Sequence, residues 1–256
     1  MRLAKAWLLA LLAAALLGLA LSQPEAARAA PGDIGYQGPS TVGAGSAPTG
    51  SKPESKVWRN DGYWWASMWH AASGDFHIFR LDPATQAWVD TGVALDERGS
   101  TRADTLWDAG SGKLYIASHV FSESPATGYP SRLYRFSYNA TTNVYTRDPG
   151  FPVSINNFRL ETLVLAKDST GQLWATWVQG GKLWLNSTVC NPACTDTAWG
   201  IPFVPSVSGT SVTSDDISSL IAFGGNKLGV MWSNQNADAD YFAVLSDTAA
   251  DSSWTL

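Results

Sequence analysis

A repeat of about 50 residues constrains this chain more than any other feature. Four segments read Gly or Asn, one further residue, an apolar pair, then a run of small and apolar residues. They are Gly62-Tyr-Trp-Trp65-Ala-Ser-Met, Gly112-Lys-Leu-Tyr115-Ile-Ala-Ser, Gly171-Gln-Leu-Trp174-Ala-Thr-Trp and Asn226-Lys-Leu-Gly229-Val-Met-Trp, at intervals of 50, 59 and 55 residues. A short strand pattern precedes each: Lys56-Val-Trp58, Thr105-Leu-Trp107, Thr162-Leu-Val-Leu165 and Ser219-Leu-Ile-Ala222. Another follows: Phe76-His-Ile-Phe-Arg-Leu81, Arg132-Leu-Tyr-Arg-Phe136, Lys182-Leu-Trp-Leu185 and Tyr241-Phe-Ala-Val-Leu245. A turn then leads to a fourth strand opening on Trp88, Tyr145, Trp199 or Trp254. Alternation with period two, punctuated by turn residues and lacking a helical period, is the signature of strands.

Four antiparallel strands per unit at this spacing predict an all-β chain, a β-propeller of four-stranded antiparallel blades. One such sheet cannot bury both faces alone, so successive sheets stack around an axis. Large aromatics fill the outward-widening wedge between them, and small residues such as Ala66, Ala117 and Ala175 suit its narrow parts. All but one of the 13 tryptophans lie beyond residue 52 and read as packing. The blades fall at about residues 53–99, 100–156, 157–213 and 214–256, the last one incomplete. The expectation is a fragment of a longer propeller, with a closed four-bladed ring as the alternative.

Ahead of the repeat, Arg2 and Lys5 precede an apolar run over residues 6–21 and then small residues, the order of a secretory signal. Cleavage fits after Ser22 or after Ala29, the latter making residues 1–29 the signal; an uncleaved anchor is the competing reading. Residues 30–52, rich in Gly, Ser, Pro and Ala, read as a flexible linker. The expected location is therefore secreted or cell-surface, with no membrane contact after cleavage. The net charge of −5 argues against a nucleic-acid partner, which needs basic patches to displace counterions. Cys190 and Cys194, four apart in an exported chain, predict a local disulfide, since no histidine is close enough in sequence for a metal site.

The turns before the fourth strands carry a resemblance. Asn186-Ser-Thr-Val-Cys190 with Cys194-Thr-Asp196-Thr-Ala-Trp199, and Leu245-Ser-Asp247-Thr-Ala-Ala-Asp251-Ser-Ser-Trp254, resemble degenerate Asp-box (BNR) turns of sialidase-like propellers. Leu81-Asp82-Pro-Ala-Thr-Gln-Ala-Trp88 has a similar layout, and the glycine of the full pattern is missing from all three. The resemblance covers blade layout over residues 55–256 and implies the fold better than the activity. It gives Asp82, Asp196 and Asp247 a structural part in the turns.

Chemistry is expected where outer strands lead into the next innermost strand. These lead-ins are polar: Lys52-Pro-Glu54, Ser100-Thr-Arg102-Ala-Asp104, Asn157-Phe-Arg159-Leu-Glu161 and Ser214-Asp215-Asp216. The shared R-x-acid spacing places Arg102 with Asp104, and Arg159 with Glu161, on one side of a strand. Converging arginines would grip a carboxylate bidentately, which is how the resembled family holds sialic acid; a ring of salt bridges is the bland alternative. Asp104, Glu161 and Asp216 are the candidate acids. Asn236, Asp238 and Asp240 alternate as calcium ligands do, without the glycine and distal glutamate of a full loop, so a hairpin turn competes. His70, His77 and His119 read as structural or surface residues. Asn139 and Asn186 open glycosylation patterns. No cofactor is implied.

The leading expectation is a recognition module for an extracellular glycan or protein. Its alternatives are a sialidase-type glycoside hydrolase and an architectural domain of a larger adhesin.

Overall fold

A computed structural model describes residues 38–44, 52–124 and 126–256 of the chain. The expected signal at 1–29 and most of the expected linker lie outside the described residues. Within the linker, residues 41–44 form a turn closed by the Ala44 N–H on the Thr41 carbonyl, and the Val42 carbonyl accepts the Trp69 indole N–H at 2.9 Å. This part of the linker is docked on the first blade through an indole the composition argument did not connect to it.

Every described element is a strand. The first sheet holds β1 (Val57–Asn60), β2 (Tyr63–His70), β3 (Asp75–Leu81) and β4 (Trp88–Asp96). The second holds β5 (Thr101–Asp108), β6 (Lys113–Val120), β7 (Ala126–Asn139) and β8 (Val144–Arg147), with β9 (Val153–Arg159) also paired to β7. The third holds β10 (Val164–Lys167), β11 (Leu173–Gln179), β12 (Lys182–Cys190) and β13 (Cys194–Trp199). The fourth holds β14 (Ser218–Phe223), β15 (Lys227–Asn234) and β16 (Ala239–Ser246), and Thr255 forms an isolated bridge with Val244. All neighbours within a sheet are antiparallel, and each first strand touches the next: β1 with β5, β5 with β10, β10 with β14. Innermost strands side by side around a common line are the arrangement of propeller blades.

The repeated glycine has a local cause. Gly62, Gly112 and Gly171 turn the first strand of a blade into its second with φ of 79°, 66° and 92°, a left-handed conformation that a Cβ disfavours. The fourth blade has Asn226 at the repeat position and moves the left-handed turn to Gly224 and Gly225.

Successive side chains of a strand point to opposite faces, and the second and third sheets bury both. Leu114 and Ile116 pack with Trp58, Trp65 and Phe76 between the first two sheets, while Tyr115 and Ala117 pack with Leu165, Ala175 and Trp177 between the next two. Val164, Ala166 and Trp174 face Leu220, Trp232 and Trp254 on the fourth. Three aromatic-rich layers therefore hold four sheets together, and Trp65, Trp174, Trp177 and Trp232 are almost wholly inaccessible. The outward faces of the end sheets differ: Val57 and Trp64 on the first, and Ile221, Met231 and Phe242 on the fourth, stay exposed.

Four sequence expectations need correction. The outer strand of the second blade is split: β8 pairs one half of β7, and β9 pairs the other after the turn at 148–152. Arg159 thus ends an outer strand, whereas Glu161 lies in the bend beyond it, so the two do not share one face as Arg102 and Asp104 do. Trp199 closes β13 instead of opening it. Among the turn aspartates, Asp82 organises its own turn, accepting from the Ala84 N–H and Thr85 hydroxyl at 2.9 Å each. Asp196 and Asp247 reach into the preceding blade instead, Asp196 accepting from Tyr115 and Arg135, and Asp247 from the Ser169 N–H. Cys190 and Cys194 form a disulfide across the β12–β13 turn. Asn186 is buried and donates to the Ile155 and Gly200 carbonyls, which removes it as a glycan acceptor; Asn139 is exposed.

Candidate functional site

The polar lead-ins of the first three blades meet at one end of the inner strands. Register pairs Arg102 with His119 and Asp104 with Ala117, so β5 and β6 present Arg102, Asp104 and His119 on the same face. Glu54, on the lead-in to β1, reaches into this group. Its Oε1 lies 2.6 Å from His119 Nε2 and accepts the Leu163 N–H at 3.1 Å, and its Oε2 accepts from Lys56 Nζ at 2.9 Å. Lys56 also donates to the Ala103 carbonyl. Burial works to raise the Glu54 pKa, but the His119 imidazole and the Lys56 ammonium outweigh it and bring it to about 2.

Asp104 is the opposite case. It is buried with no cation in hydrogen-bond contact among the described residues, and burial raises its pKa to about 7 against two backbone N–H donors, Leu165 at 2.8 Å and Ser55. The nearby Glu54 charge pushes the same way as burial. Asp104 also lines a cleft of about 390 Å³. The walls are Ser55, Thr105 and Leu106 on one side, and Leu165, Lys167 and Ile221 from β10 and β14 on the other. Two carboxyls of one polar cluster are thus driven in opposite directions, Glu54 down and Asp104 up, and of the two only Asp104 is a residue of the cleft.

The remaining candidates separate. Arg102 is buried with its guanidinium 3.4 Å from the Phe121 ring centroid, whereas Arg159 stands 5.0 Å over Tyr129. Burial lowers the Arg102 pKa, and the charges of Glu54, Glu161 and Glu123 oppose that shift. Among the described residues neither arginine has a carboxylate within 4.0 Å, so the expected ion pairs with Asp104 and Glu161 do not form. Glu161 instead holds Lys52 at 2.9 Å. Asp216 leaves the list of acids: burial raises its pKa, but donors from Thr213, Ser233 and Gln235 win and hold it down, making it a turn organiser within the fourth blade. Asn236 and Asp238 occupy the β15–β16 turn, exposed, with Asp238 at φ 50°, and Asp240 pairs with Ser233 on β16.

Sequence reasoning passed over His119 and Glu54 as partners. The only signal was a polar residue at the end of each strand; their union needs the register that sets His119 opposite Arg102. One group of three ligating side chains within 4.8 Å of one another occurs among the described residues, His70, His77 and Asp90, and it belongs to the first sheet, outside the cleft.

No family model matches the chain, and no curated protein does either. Among solved structures it is similar to an exo-1,5-alpha-L-arabinanase from a bovine ruminal metagenomic library, with TM-score 0.45 and 17% identity over 73% of this chain and 68% of that one. It is also similar to a GH43 beta-xylosidase/alpha-arabinofuranosidase from a compost microbial metagenome, with TM-score 0.38 and 11% identity over 76% and 73%. A third is an exo-beta-1,3-galactanase from Phanerochaete chrysosporium, with TM-score 0.40 and 10% identity over 78% of this chain and 48% of that one. None of these three is a sialidase, and similarity this distant decides neither site nor substrate.

Proposed function

We propose that this protein is a carbohydrate-active propeller acting outside the cell, which admits a saccharide to the axial cleft and cleaves it with Asp104 as proton donor. The observation that carries the reading is Asp104, a residue of that cleft whose buried carboxyl is raised to about 7. A general acid works best with a pKa near the operating pH. Glycosidic cleavage needs one protonated carboxyl for the leaving oxygen and one ionised carboxylate to direct water or bear the positive charge at the anomeric carbon. Glu161, on the lead-in to β10 and held by Lys52, is the second carboxylate this reading calls on, from outside the residues that line the cleft. The export signal read in residues 1–29 supports the location.

Glycan recognition without turnover is the second reading, favoured by the saturation of Glu54, both of whose oxygens are already held. A sialoside carries the carboxylate for which Arg102 and Arg159 are the candidate partners, and neither arginine lines the cleft.

The test is a panel of arabino-, xylo- and galacto-oligosaccharides and a fluorogenic sialoside, assayed for reducing ends and, in parallel, for binding by calorimetry. Hydrolysis is expected to fall as pH rises through 7 and to drop at least about 100-fold in Asp104→Asn. Binding without hydrolysis establishes the second reading; neither binding nor hydrolysis of any saccharide rejects both.

A further inference from the structure

The outward face of the first sheet carries a polar group that the axial cleft does not use. His70 ends β2 opposite Asp75, the first residue of β3, and His77 follows two residues later on the same face. β4 adds Asp90. Thr91 and Gly92 bulge out of the pairing between Ile78 and Phe79, and the bulge sets Asp90 beside His77. Asp90 Oδ1 lies 3.0 Å from His77 Nδ1, and Asp90 Oδ2 lies 3.6 Å from His70 Nε2. The two imidazoles stack at 4.4 Å between centroids, 20° from parallel.

Both rings are held from behind. His70 Nδ1 is 2.6 Å from the Ser73 hydroxyl, and His77 Nε2 is 3.1 Å from Asp75 Oδ1 and 3.2 Å from Ser73 Oγ. The Ser73 hydroxyl in turn bonds Asp75. Each imidazole thus turns one nitrogen toward Asp90 and has the other fixed by a hydroxyl or a carboxylate.

We infer that His70 Nε2, His77 Nδ1 and the Asp90 carboxylate form a binding site for a first-row divalent cation of the zinc class. Ligands about 2.1 Å from a tetrahedral ion stand roughly 3.4 Å from one another; the Asp90 oxygens stand 3.0 Å from His77 Nδ1 and 3.6 Å from His70 Nε2, and all three ligand atoms lie within 4.8 Å, so seating the ion turns the two imidazoles out of their stack. Two imidazoles and one carboxylate are the borderline donor set that zinc takes in preference to magnesium or calcium. Outer partners on the second ring nitrogen are what metal-ligating histidines require, and Ser73 and Asp75 supply them. Three protein ligands leave a fourth position for water. The ion cross-links β2, β3 and β4 on the one face of the first blade that no other sheet covers among the described residues, and it stabilises the blade through its own binding free energy.

The competing account is a plain hydrogen-bonded His–Asp network, and titration of the full chain with Zn²⁺ and then Co²⁺ separates the two. Competing thiolates are absent, since both cysteines are in the disulfide, and His119 is wholly buried on Glu54. The expected result is one ion per chain, a visible tetrahedral Co²⁺ band and a higher melting temperature with metal. His70→Ala, which changes a half-exposed side chain, should abolish all three while keeping the β-sheet circular dichroism. Asp75→Asn should weaken binding about 10- to 100-fold through the outer partner alone. A folded wild-type chain that takes up no stoichiometric ion overturns the inference. So does wild-type affinity in both His70→Ala and Asp90→Asn.

Discussion

His119 Nε2 lies 2.6 Å from Glu54 Oε1 across 65 residues of sequence, and both side chains are all but inaccessible to solvent. The contact joins the lead-in of the first blade to the second strand of the second, and the same oxygen takes the Leu163 N–H on the way into the third. One carboxylate therefore ties three blades at the axis. Truncating one partner of such a pair leaves a buried charge with less compensation, at a cost of about 3–5 kcal/mol. His119→Ala is expected to lower the urea-unfolding free energy by that amount with an unchanged m-value. A loss below about 1 kcal/mol would show that Lys56 and the Leu163 N–H suffice for Glu54.

The two axial carboxyls give stability opposite dependences on pH. Asp104 titrates near 3.8 when unfolded and near 7 when folded, so between those values the folded chain keeps a proton that the unfolded chain has released. Its contribution therefore declines as pH rises from 4 to 7, by at most about 1.4 kcal/mol per pH unit. Glu54 runs the other way: its contribution is complete above 4.5 and is lost as pH falls toward 2. Unfolding free energies across this range should show Asp104→Asn flatter than wild type between pH 4 and 7. Parallel curves would remove the raised pKa from the account.

Two buried tryptophans of β11 should respond differently to the same change. The Trp174 indole N–H donates to Asp168 Oδ2 at 2.9 Å, whereas the Trp177 indole N–H is buried with no partner among the described residues. Replacement by Phe removes a satisfied donor from the first and an unsatisfied one from the second. Trp174→Phe is expected to cost about 1–2 kcal/mol more than Trp177→Phe in chemical denaturation. Equal costs would mean that ring area alone decides both sites.

Period and turn chemistry made the architecture legible before any coordinates. The glycines at 62, 112 and 171 mark real left-handed turns, and the alternation through 114–117 and 164–166 reports which of two cores each side chain enters. Parity failed where the chain changes strand. Arg159 and Glu161 look like Arg102 and Asp104 in sequence, yet the split outer strand ends between them. The site was half legible. Polar lead-ins located it, and Lys56 is a local partner of Glu54, but Glu54 reaches His119 over 65 residues and Lys56 reaches the Ala103 carbonyl over 47, which no local pattern encodes. The bulge that brings Asp90 to His77 has one local mark, the left-handed glycine at 92, which does not say which side chains it brings together.

The most direct test of the axial site is a ¹³C NMR titration of the Asp104 carboxyl, assigned with Asp104→Asn, in the presence and absence of the saccharide that the panel identifies. The account predicts a midpoint near 7 in the free protein, and a displaced midpoint when the cleft is filled. A midpoint near 4 that the saccharide leaves unmoved would contradict it.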